Sequence, residues 1–184
     1  MDNIAATPYP VAMNVTAKQA EILIQQLRVL VVDDNPFMRN LVRSMLTNIG
    51  VKKVFEAGDG IDALEIIRTN TPDVVVLDWE MPLLNGAELV RIVRSPGAFP
   101  VPDIPIIMLS AHGERWRILE SAKLGVNEFL CKPVSAKALF DRLISILLKP
   151  RESVQLGEYY GPAPRRPNRA PAMHAQEAVP PGAA

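Results

Sequence analysis

The residues of this sequence best suited to chemistry are three carboxylates, a hydroxyl and an ammonium, each at the end of a short apolar run. They are Asp33, Asp34, Asp78, Ser110 and Lys132. Three close carboxylates repel one another, and a divalent cation relieves that repulsion. Oxygen ligands without Cys or His suit Mg²⁺, or Mn²⁺, better than zinc. These groups predict phosphoryl transfer to Asp78, with Lys132 and Ser110 contacting the phosphoryl oxygens.

Each of these side chains has a plainer explanation when it is taken alone. Asp33 and Asp34 could simply cap a helix. Asp78 could be an ordinary carboxylate at a strand end, and Lys132 with Pro133 could form a turn. Because the residues follow four different apolar runs, and parallel strands end at one edge of a sheet, a shared site is the stronger interpretation.

The apolar runs that precede these residues predict buried strands. The strongest runs span residues 29–32, 74–77 and 104–109, and shorter ones span 51–57 and 129–131. Helical patterns lie between them at 36–49, 61–68, 86–94 and 114–123, and a last helix follows residue 135. This alternation predicts a doubly wound α/β fold, in which five parallel strands are covered on both faces by five helices.

Several residues predict where these helices begin and end. Asn35 is a good N-cap, and Pro36 suits the first helical position that follows it. Asp59 and Ser135 are placed to cap two later helices. Gly50 is placed to end the first core helix, because glycine adopts the left-handed conformation that often follows a helix.

Composition narrows the function classes. Among the 184 residues, 20 are Lys or Arg and 20 are Asp or Glu, so the net charge is zero. That balance argues against a protein that coats nucleic acid or an anionic membrane. The single cysteine excludes an internal disulfide and a cysteine-built zinc site. With no signal-peptide pattern and no apolar run of about 18 residues, we expect no membrane insertion and a cytoplasmic protein.

The chain divides into three zones. Residues 1–27 form an N-terminal extension that is predicted to be helical from residue 16, and residues 28–149 form the domain. The N-terminal helix could pack on the edge of the domain or could serve self-association. Residues 150–184 form a proline-rich tail with few large apolar groups, which predicts a disordered or loosely attached segment because it buries too little surface to offset its ordering entropy.

The domain resembles the receiver domain of two-component response regulators, the chemotaxis-regulator-like family. Four segments carry the resemblance: VVDDN at 31–35, DWEMPLLNG at 78–86, LSA at 109–111 and FLCKPV at 129–134. The match covers residues 28 to about 148, and the spacing between the segments also fits. The resemblance implies a flavodoxin-like sheet with strand order 2-1-3-4-5.

The resemblance also implies roles for the site residues. Asp78 would accept a phosphoryl group from a phosphohistidine on a sensor histidine kinase or a phosphotransfer protein. Asp34 and Asp78 would bind Mg²⁺ directly, Asp33 mainly through water, and the backbone carbonyl of Glu80 would complete the protein ligands. Lys132 would contact the phosphoryl oxygens, and the bond from it to the following proline would be cis.

Four residues are assigned by the resemblance to switching or tuning. Ser110 would move to bond the phosphoryl group, and the ring of Phe129 would turn into the space that Ser110 leaves. Glu80 and His112 occupy the two positions whose side chains face the attacking water in this family, so they would set the lifetime of the phosphorylated state. The alternative for Glu80 and His112 is that both are exposed bystanders.

The resemblance does not say how the protein passes on the signal after phosphorylation. The segments on either side of the domain are too short for a DNA-binding or catalytic domain, so we expect a single-domain response regulator that does not bind DNA directly. It would be a phosphoacceptor that assists its own phosphorylation and dephosphorylation, and not an enzyme. Its output would be a contact with a downstream protein or transfer of the phosphoryl group in a relay.

Receiver domains often dimerise through the fourth helix, the fifth strand and the fifth helix, so the resemblance also implies a homodimer through these core elements. That surface carries mixed charges: Arg115, Arg117, Glu120, Glu128, Lys137, Asp141 and Arg142. The plainer alternative is a solvated face. On the same surface, Trp116 could be a core residue or part of an exposed interaction patch.

Three other functions are weighed. A degenerate receiver acting as an unphosphorylated scaffold is the main alternative, and the intact set of site residues argues against it. A phosphatase of the haloacid-dehalogenase type is disfavoured, because the residue two after Asp78 is Glu80 rather than a second aspartate. A histidine kinase fragment is set aside, because neither His112 nor His174 lies on a long dimerising helix.

Overall fold

The computed structural model describes residues 17–165, and this part of the chain contains six helices and seven strands. In chain order they are α1 Ala17–Gln26, β1 Arg28–Val32, α2 Pro36–Asn48, β2 Lys53–Ala57, α3 Gly60–Asn70, β3 Val74–Asp78, α4 Gly86–Val93, β4 Ile106–Ser110, α5 Arg115–Lys123, β5 Glu128–Cys131, α6 Ala136–Leu148, β6 Ser153–Leu156 and β7 Tyr159–Pro162. None of the described helices is long and apolar enough to cross a bilayer.

Strands β1 to β5 form one parallel sheet in the order β2-β1-β3-β4-β5. The predicted flavodoxin-like fold is therefore confirmed, and α2 to α6 are the five predicted core helices. Strands β3 and β4 are buried along their whole length, as expected where helices cover both faces of a sheet. Sequential strands joined through helices place all the carboxyl ends of β1 to β5 at one edge.

Two apolar cores flank the sheet. The α3–α4 core contains Ala63, Ile67, Ala87, Leu89, Val90 and Val93, with Leu30, Val75, Leu77 and Ile106 from the strands. The α2–α6 core contains Val42, Leu46, Leu139, Leu143 and Leu147, with Val29, Val31, Val76 and Ile107 from the strands. Neighbouring residues of one strand thus point into different cores, which is the alternation that a pleated strand imposes.

Helix ends follow the capping residues. The Asn35 side chain accepts hydrogen bonds from the backbone N–H groups of Phe37 and Met38 at the start of α2. Asp59 caps α3 and Ser135 caps α6 in the same way. Gly50 follows α2 with a φ of 108°, a conformation that glycine adopts without steric cost. These predicted caps are confirmed.

Two strands begin later than the apolar runs predict. β2 begins at residue 53 rather than 51, because the Val51 N–H donates to Leu46 O and closes the end of α2. β4 begins at residue 106 rather than 104, because the Ile104 N–H donates to Val101 O in a turn. In both places a local backbone hydrogen bond replaces a sheet bond, which hydropathy does not reveal.

Helix α1 lies against the α2–α6 core. Ile24 and Leu27 are buried there, and Ala20 is also covered. This packing corresponds to the first of the two alternatives for the N-terminal extension, a helix on the edge of the domain. Residues 1–16, including the predicted first helical residue, lie outside the described part of the chain.

The prediction of a disordered tail from residue 150 is wrong for its first part. Strands β6 and β7 form an antiparallel hairpin. The Tyr160 hydroxyl donates to Asp103 Oδ1 at 2.6 Å, Arg151 donates to Asn127 O, and Arg165 pairs with Glu128. The hairpin is thus held by polar contacts with the domain, and a composition argument that counts large apolar groups misses them. Residues 166–184 lie outside the described part of the chain.

The segments that the hairpin contacts, before β4 and β5, are held together by the buried side chain of Arg94. The Arg94 side chain donates to Gly125 O, to Pro102 O and to Asn127 Oδ1. Burial lowers the pKa of Arg94 to about 10, and the nearby Asp103 carboxylate opposes that shift. Arg94 thereby joins the end of α4 to the segments that lead into β4 and β5, at the sheet edge opposite the carboxyl ends.

We expect Arg94→Met to lower the free energy of unfolding by about 3 kcal/mol, because it leaves buried carbonyl groups without donors. Arg91→Met is the control: Arg91 is exposed in the last turn of α4, just before Arg94, so its loss should cost less than about 0.5 kcal/mol. Urea unfolding of the two variants and the wild type measures the difference. Equal unfolding curves for both variants would show that the Arg94 contacts are dispensable.

Candidate functional site

The strand ends bring together the five residues that the sequence analysis placed in one site. Asp33 and Asp34 follow β1, Asp78 is the last residue of β3, Ser110 is the last residue of β4, and Lys132 follows β5. A carboxylate oxygen from each of the three aspartates lies within 4.8 Å of the others. The site is therefore an acidic pocket at the carboxyl edge of the sheet.

Asp33 is fixed through every polar group it has. Its carboxylate accepts from the Asn35 N–H at 2.9 Å and from Lys132 Nζ at 3.1 Å, and its carbonyl accepts from Arg39 Nη1 at 2.7 Å. Its own N–H donates to Ala57 O on β2. The residue is 1% exposed. Asp34 differs, because it is exposed and its carboxylate makes no hydrogen bond or ion pair with the described residues.

Asp78 is buried beside the ammonium of Lys132. Lys132 Nζ lies 2.9 Å from Asp78 Oδ1, yet that buried oxygen has no hydrogen-bond donor aligned with it among the described residues. Burial raises the pKa of Asp78, the Asp33 carboxylate raises it further, and the Lys132 ammonium opposes both effects. The Asp78 carboxylate therefore has an ionic partner inside the pocket.

Lys132 is held in the pocket by its backbone and by its charge. Its N–H donates to Ser110 O at 2.7 Å, and the peptide bond to Pro133 is cis, as expected. Burial alone would lower the pKa of Lys132, but the carboxylates of Asp78 and Asp33 outweigh burial and raise it. The side chain is therefore a fixed positive charge next to Asp78.

Ser110 and Phe129 lie on the neighbouring strands β4 and β5. Ser110 is fully buried, and its hydroxyl oxygen accepts the N–H of His112 at 3.0 Å. Phe129 is half-buried and packs against the α3–α4 core, with its Cα partnered to that of Met108 on β4. In this structure the Ser110 hydroxyl is thus bonded within its own loop.

The loop after β3 approaches Asp78 closely and needs a glycine. A Cβ on Gly86 would lie 2.4 Å from the carbonyl oxygen of Asp78 and 3.0 Å from the Cα of Trp79. The Gly86 N–H also donates to Trp79 O. Because backbone occupies this space, a side chain does not fit there, and glycine lets the start of α4 lie against the end of β3.

Glu80 and His112 contact each other beside the pocket. His112 Nε2 lies 3.1 Å from Glu80 Oε1, and the other ring nitrogen lies 3.5 Å from a carboxylate oxygen of Glu114. Both side chains are about half exposed, at 48% for His112 and 45% for Glu80. The guanidinium of Arg117 lies 4.4 Å from the centre of the Trp79 ring and 3.9 Å from Glu80 Oε1.

Two residues near the site were missed by the sequence analysis. The Arg39 side chain donates to the Asp33 carbonyl, and Arg117 on α5 contacts Trp79 and Glu80 in the loop after β3. The sequence does contain a signal for Arg39. A cation in the first turn of a helix is disfavoured by the helix dipole, so an arginine there suggests a specific contact that compensates. Trp116, left open between core and surface, is 57% exposed and belongs to the surface.

The donor set fits a hard divalent cation. Three carboxylates face one ammonium, so the ionised pocket holds more negative than positive charge. Oxygen donors without sulfur or imidazole are the set that Mg²⁺ takes in proteins, with water and phosphate completing the shell. Asp33, Asp34 and Asp78 are the residues that could hold such an ion.

Comparison with known proteins agrees with this geometry. The family model described as the response regulator receiver domain matches residues 29–144. Chemotaxis protein CheY-3 of Vibrio cholerae is 34% identical over 125 residues, which cover 68% of this chain and 95% of the relative. Chemotaxis protein CheY1 of Helicobacter pylori is 36% identical over 122 residues, which cover 66% of this chain and 97% of the relative.

Solved structures show the same likeness. The receiver domain of the Francisella response regulator 1452 superposes with a TM-score of 0.60 at 35% identity, covering 67% of this chain and 98% of that one. Vibrio cholerae CheY4 superposes with a TM-score of 0.59 at 30% identity, covering 66% of this chain and 98% of that one. The matched region is the domain that carries the acidic pocket, and the chain therefore belongs to the response regulator receiver domain family.

Proposed function

We propose that this chain is a response regulator whose Asp78 accepts a phosphoryl group from a phosphohistidine. The donor would be a sensor histidine kinase or a phosphotransfer protein, as in the family to which the chain belongs. The observation that carries the proposal is the cluster of three aspartate carboxylates in which the buried Asp78 lies 2.9 Å from the Lys132 ammonium. Such a group is a nucleophile with a cation already beside it.

The proposed transfer is a displacement at phosphorus. An oxygen of Asp78 forms the new bond to phosphorus, the bond from phosphorus to the donor imidazole breaks, and the imidazole nitrogen keeps the electron pair. Lys132 stabilises the negative phosphoryl oxygens through its fixed charge. Asp33, Asp34, Asp78 and the carbonyl of Glu80 would hold Mg²⁺, or Mn²⁺ in its place, which supplies positive charge to the same oxygens.

Phosphorylation would be relayed by Ser110 and Phe129. In the structure the Ser110 hydroxyl accepts from the His112 N–H, so bonding the phosphoryl group would draw the hydroxyl away from that position. The ring of Phe129, which is half-buried against the α3–α4 core, would then turn into the space that Ser110 leaves. Two arrangements of one core would thus differ by whether phosphate is present.

The proposed output is a protein contact or onward transfer of the phosphoryl group, in the cytoplasm and without direct DNA binding. A homodimer through α5, β5 and α6 remains part of the proposal. The charges of that face pair within the chain, as in Lys137–Asp141 at 2.7 Å and Glu128–Arg142 at 3.5 Å. Dimerisation would therefore rest on exposed apolar residues such as Trp116 and Leu119, and sedimentation with and without phosphorylation measures it.

Intact-mass spectrometry after incubation with Mg²⁺ and a small-molecule phosphodonor tests the function. One added phosphoryl group that is lost when Mg²⁺ is chelated is the expected result. No gain, with Mg²⁺ binding still detected through Trp79 fluorescence, would direct the test to a kinase as donor. No gain and no response to metal would favour the alternative, an unphosphorylated scaffold.

The contact between Glu80 and His112 supports a role in the lifetime of the phosphorylated state. We expect His112→Ala to slow hydrolysis of phosphorylated Asp78 about tenfold, equivalent to about 1.4 kcal/mol in the barrier, because a water beside Glu80 loses an ordering partner. Glu114→Gln keeps the imidazole and is the matched control. Loss of the added mass with time measures both rates, and an unchanged rate in His112→Ala would make His112 a bystander.

A further inference from the structure

Arg39 occupies an unusual position at the start of α2. Its Nη1 donates to the carbonyl oxygen of Asp33 at 2.7 Å, and its Nε lies 3.5 Å from Glu56 Oε2 on β2. The side chain is 21% exposed, so most of its surface is covered. The guanidinium thus bridges the end of β1 to the neighbouring strand while contacting the backbone of the acidic pair.

The bonded carbonyl belongs to the peptide that joins Asp33 to Asp34. The other polar groups of Asp33 are held by Ala57, Asn35 and Lys132, so the orientation of this peptide decides where the next side chain points. The Asp34 carboxylate has no hydrogen bond or ion pair with any described residue that could correct its direction. Its placement toward Asp78 therefore depends on the backbone, and Arg39 holds that backbone.

We propose that Arg39 is a positioning residue for the acidic pocket: it fixes the Asp33–Asp34 peptide so that both carboxylates meet Asp78 in a geometry that binds a divalent cation. The inference rests on the proposed function, because it assigns Arg39 to the same metal-binding pocket. Groups that orient metal ligands without touching the metal commonly change metal affinity by 10- to 100-fold when they are removed.

A purely electrostatic role predicts the opposite sign. If Arg39 acted only as a positive charge near three carboxylates, removing it would make the pocket more negative and tighten the binding of a cation. If it positions the peptide, removing it weakens binding. The direction of the change in Mg²⁺ affinity therefore distinguishes the two roles, whatever happens to the stability of the fold.

The chain offers a matched control in Arg43. Its Nε lies 3.3 Å from the other carboxylate oxygen of Glu56, one turn further along α2, but no hydrogen bond joins Arg43 to Asp33. Arg43→Met thus removes a guanidinium from the same glutamate without disturbing the Asp33 carbonyl. Arg39→Lys keeps the charge and can supply one donor, but it lacks the planar fork that reaches Asp33 and Glu56 together.

The test is a Mg²⁺ titration of the full chain, by calorimetry and by fluorescence of Trp79. Trp116→Phe is introduced in every protein, since the sequence has only these two tryptophans. We expect Arg39→Met to weaken Mg²⁺ binding about tenfold. Arg39→Lys should be intermediate and Arg43→Met should match the parent. Titrations are made well below the unfolding midpoint of each variant, so that loss of stability is not read as loss of affinity.

Mg²⁺ binding by Arg39→Met that equals or exceeds that of the parent overturns the inference and leaves the proposed function standing. The same weakening in Arg43→Met would also overturn it, because the effect would then belong to Glu56. A parent protein that binds no Mg²⁺ by either method removes the proposed function and the inference with it. If Arg39→Met does not fold, the Mg²⁺ affinity of Arg39→Lys is compared with that of Arg43→Met instead, and the same outcomes apply.

Discussion

Asp78→Asn is expected to receive no phosphoryl group under conditions in which the wild type gains one. An amide oxygen is a far weaker nucleophile than a carboxylate, and the substitution also removes one of the three charges that would hold Mg²⁺. The side chain keeps its shape, and burial already disfavours the charged form of Asp78, since it raises the pKa of that carboxyl. The variant should therefore remain folded and lose only the ability to accept a phosphoryl group.

Intact-mass spectrometry with a small-molecule phosphodonor measures this difference, and circular dichroism checks that the variant is folded. Asp62→Asn is the control, because Asp62 is exposed in the first turn of α3 near the same edge of the sheet. It should be phosphorylated as the wild type is. A phosphoryl group on Asp78→Asn would mean that another residue is the acceptor, and the assignment of Asp78 would be wrong.

The parts of this fold that follow from sequence are those that local chemistry decides. Asn35 and Ser135 cap helices because a side-chain oxygen satisfies free N–H groups wherever the backbone turns into a helix. β1 and β3 were predictable because a strand buried on both faces tolerates few polar residues. Since parallel strands share one carboxyl edge, the convergence of Asp33, Asp78 and Lys132 followed from the order of the elements.

The parts that could not be predicted depend on contacts between distant segments. The hairpin of β6 and β7 is held by Tyr160 on Asp103, 57 residues away, and by Arg165 on Glu128. Nothing within residues 150–165 signals that these partners exist. Arg39 is an intermediate case: its place in the first turn of α2 is visible in the sequence, but only the folded backbone shows that its guanidinium contacts the Asp33 carbonyl. Composition indicates how much apolar surface a segment can bury, but it does not indicate which polar groups of the domain will bond to that segment.

Lys132→Met is expected to slow phosphorylation of Asp78 about 100-fold, equivalent to about 2.7 kcal/mol in the barrier. The ammonium lies 2.9 Å from Asp78 Oδ1 and 3.1 Å from Asp33 Oδ2, so it is fixed where negative charge accumulates on the phosphoryl group during transfer. Methionine fills a similar volume without charge. Lys137→Met, an exposed lysine on α6, is the control and should leave the rate unchanged.

Metal binding separates this effect from that of Arg39. Removing Lys132 takes a cation away from the carboxylates, so Mg²⁺ should bind Lys132→Met at least as tightly as the wild type. Removing Arg39 should weaken Mg²⁺ binding, because the peptide before Asp34 loses its anchor. Rates of mass gain at saturating Mg²⁺ and Mg²⁺ titrations of both variants measure the two quantities. If Lys132→Met transfers the phosphoryl group slowly but still binds Mg²⁺, Lys132 acts on the phosphoryl oxygens. If Lys132→Met binds Mg²⁺ more weakly, Lys132 instead maintains the shape of the pocket.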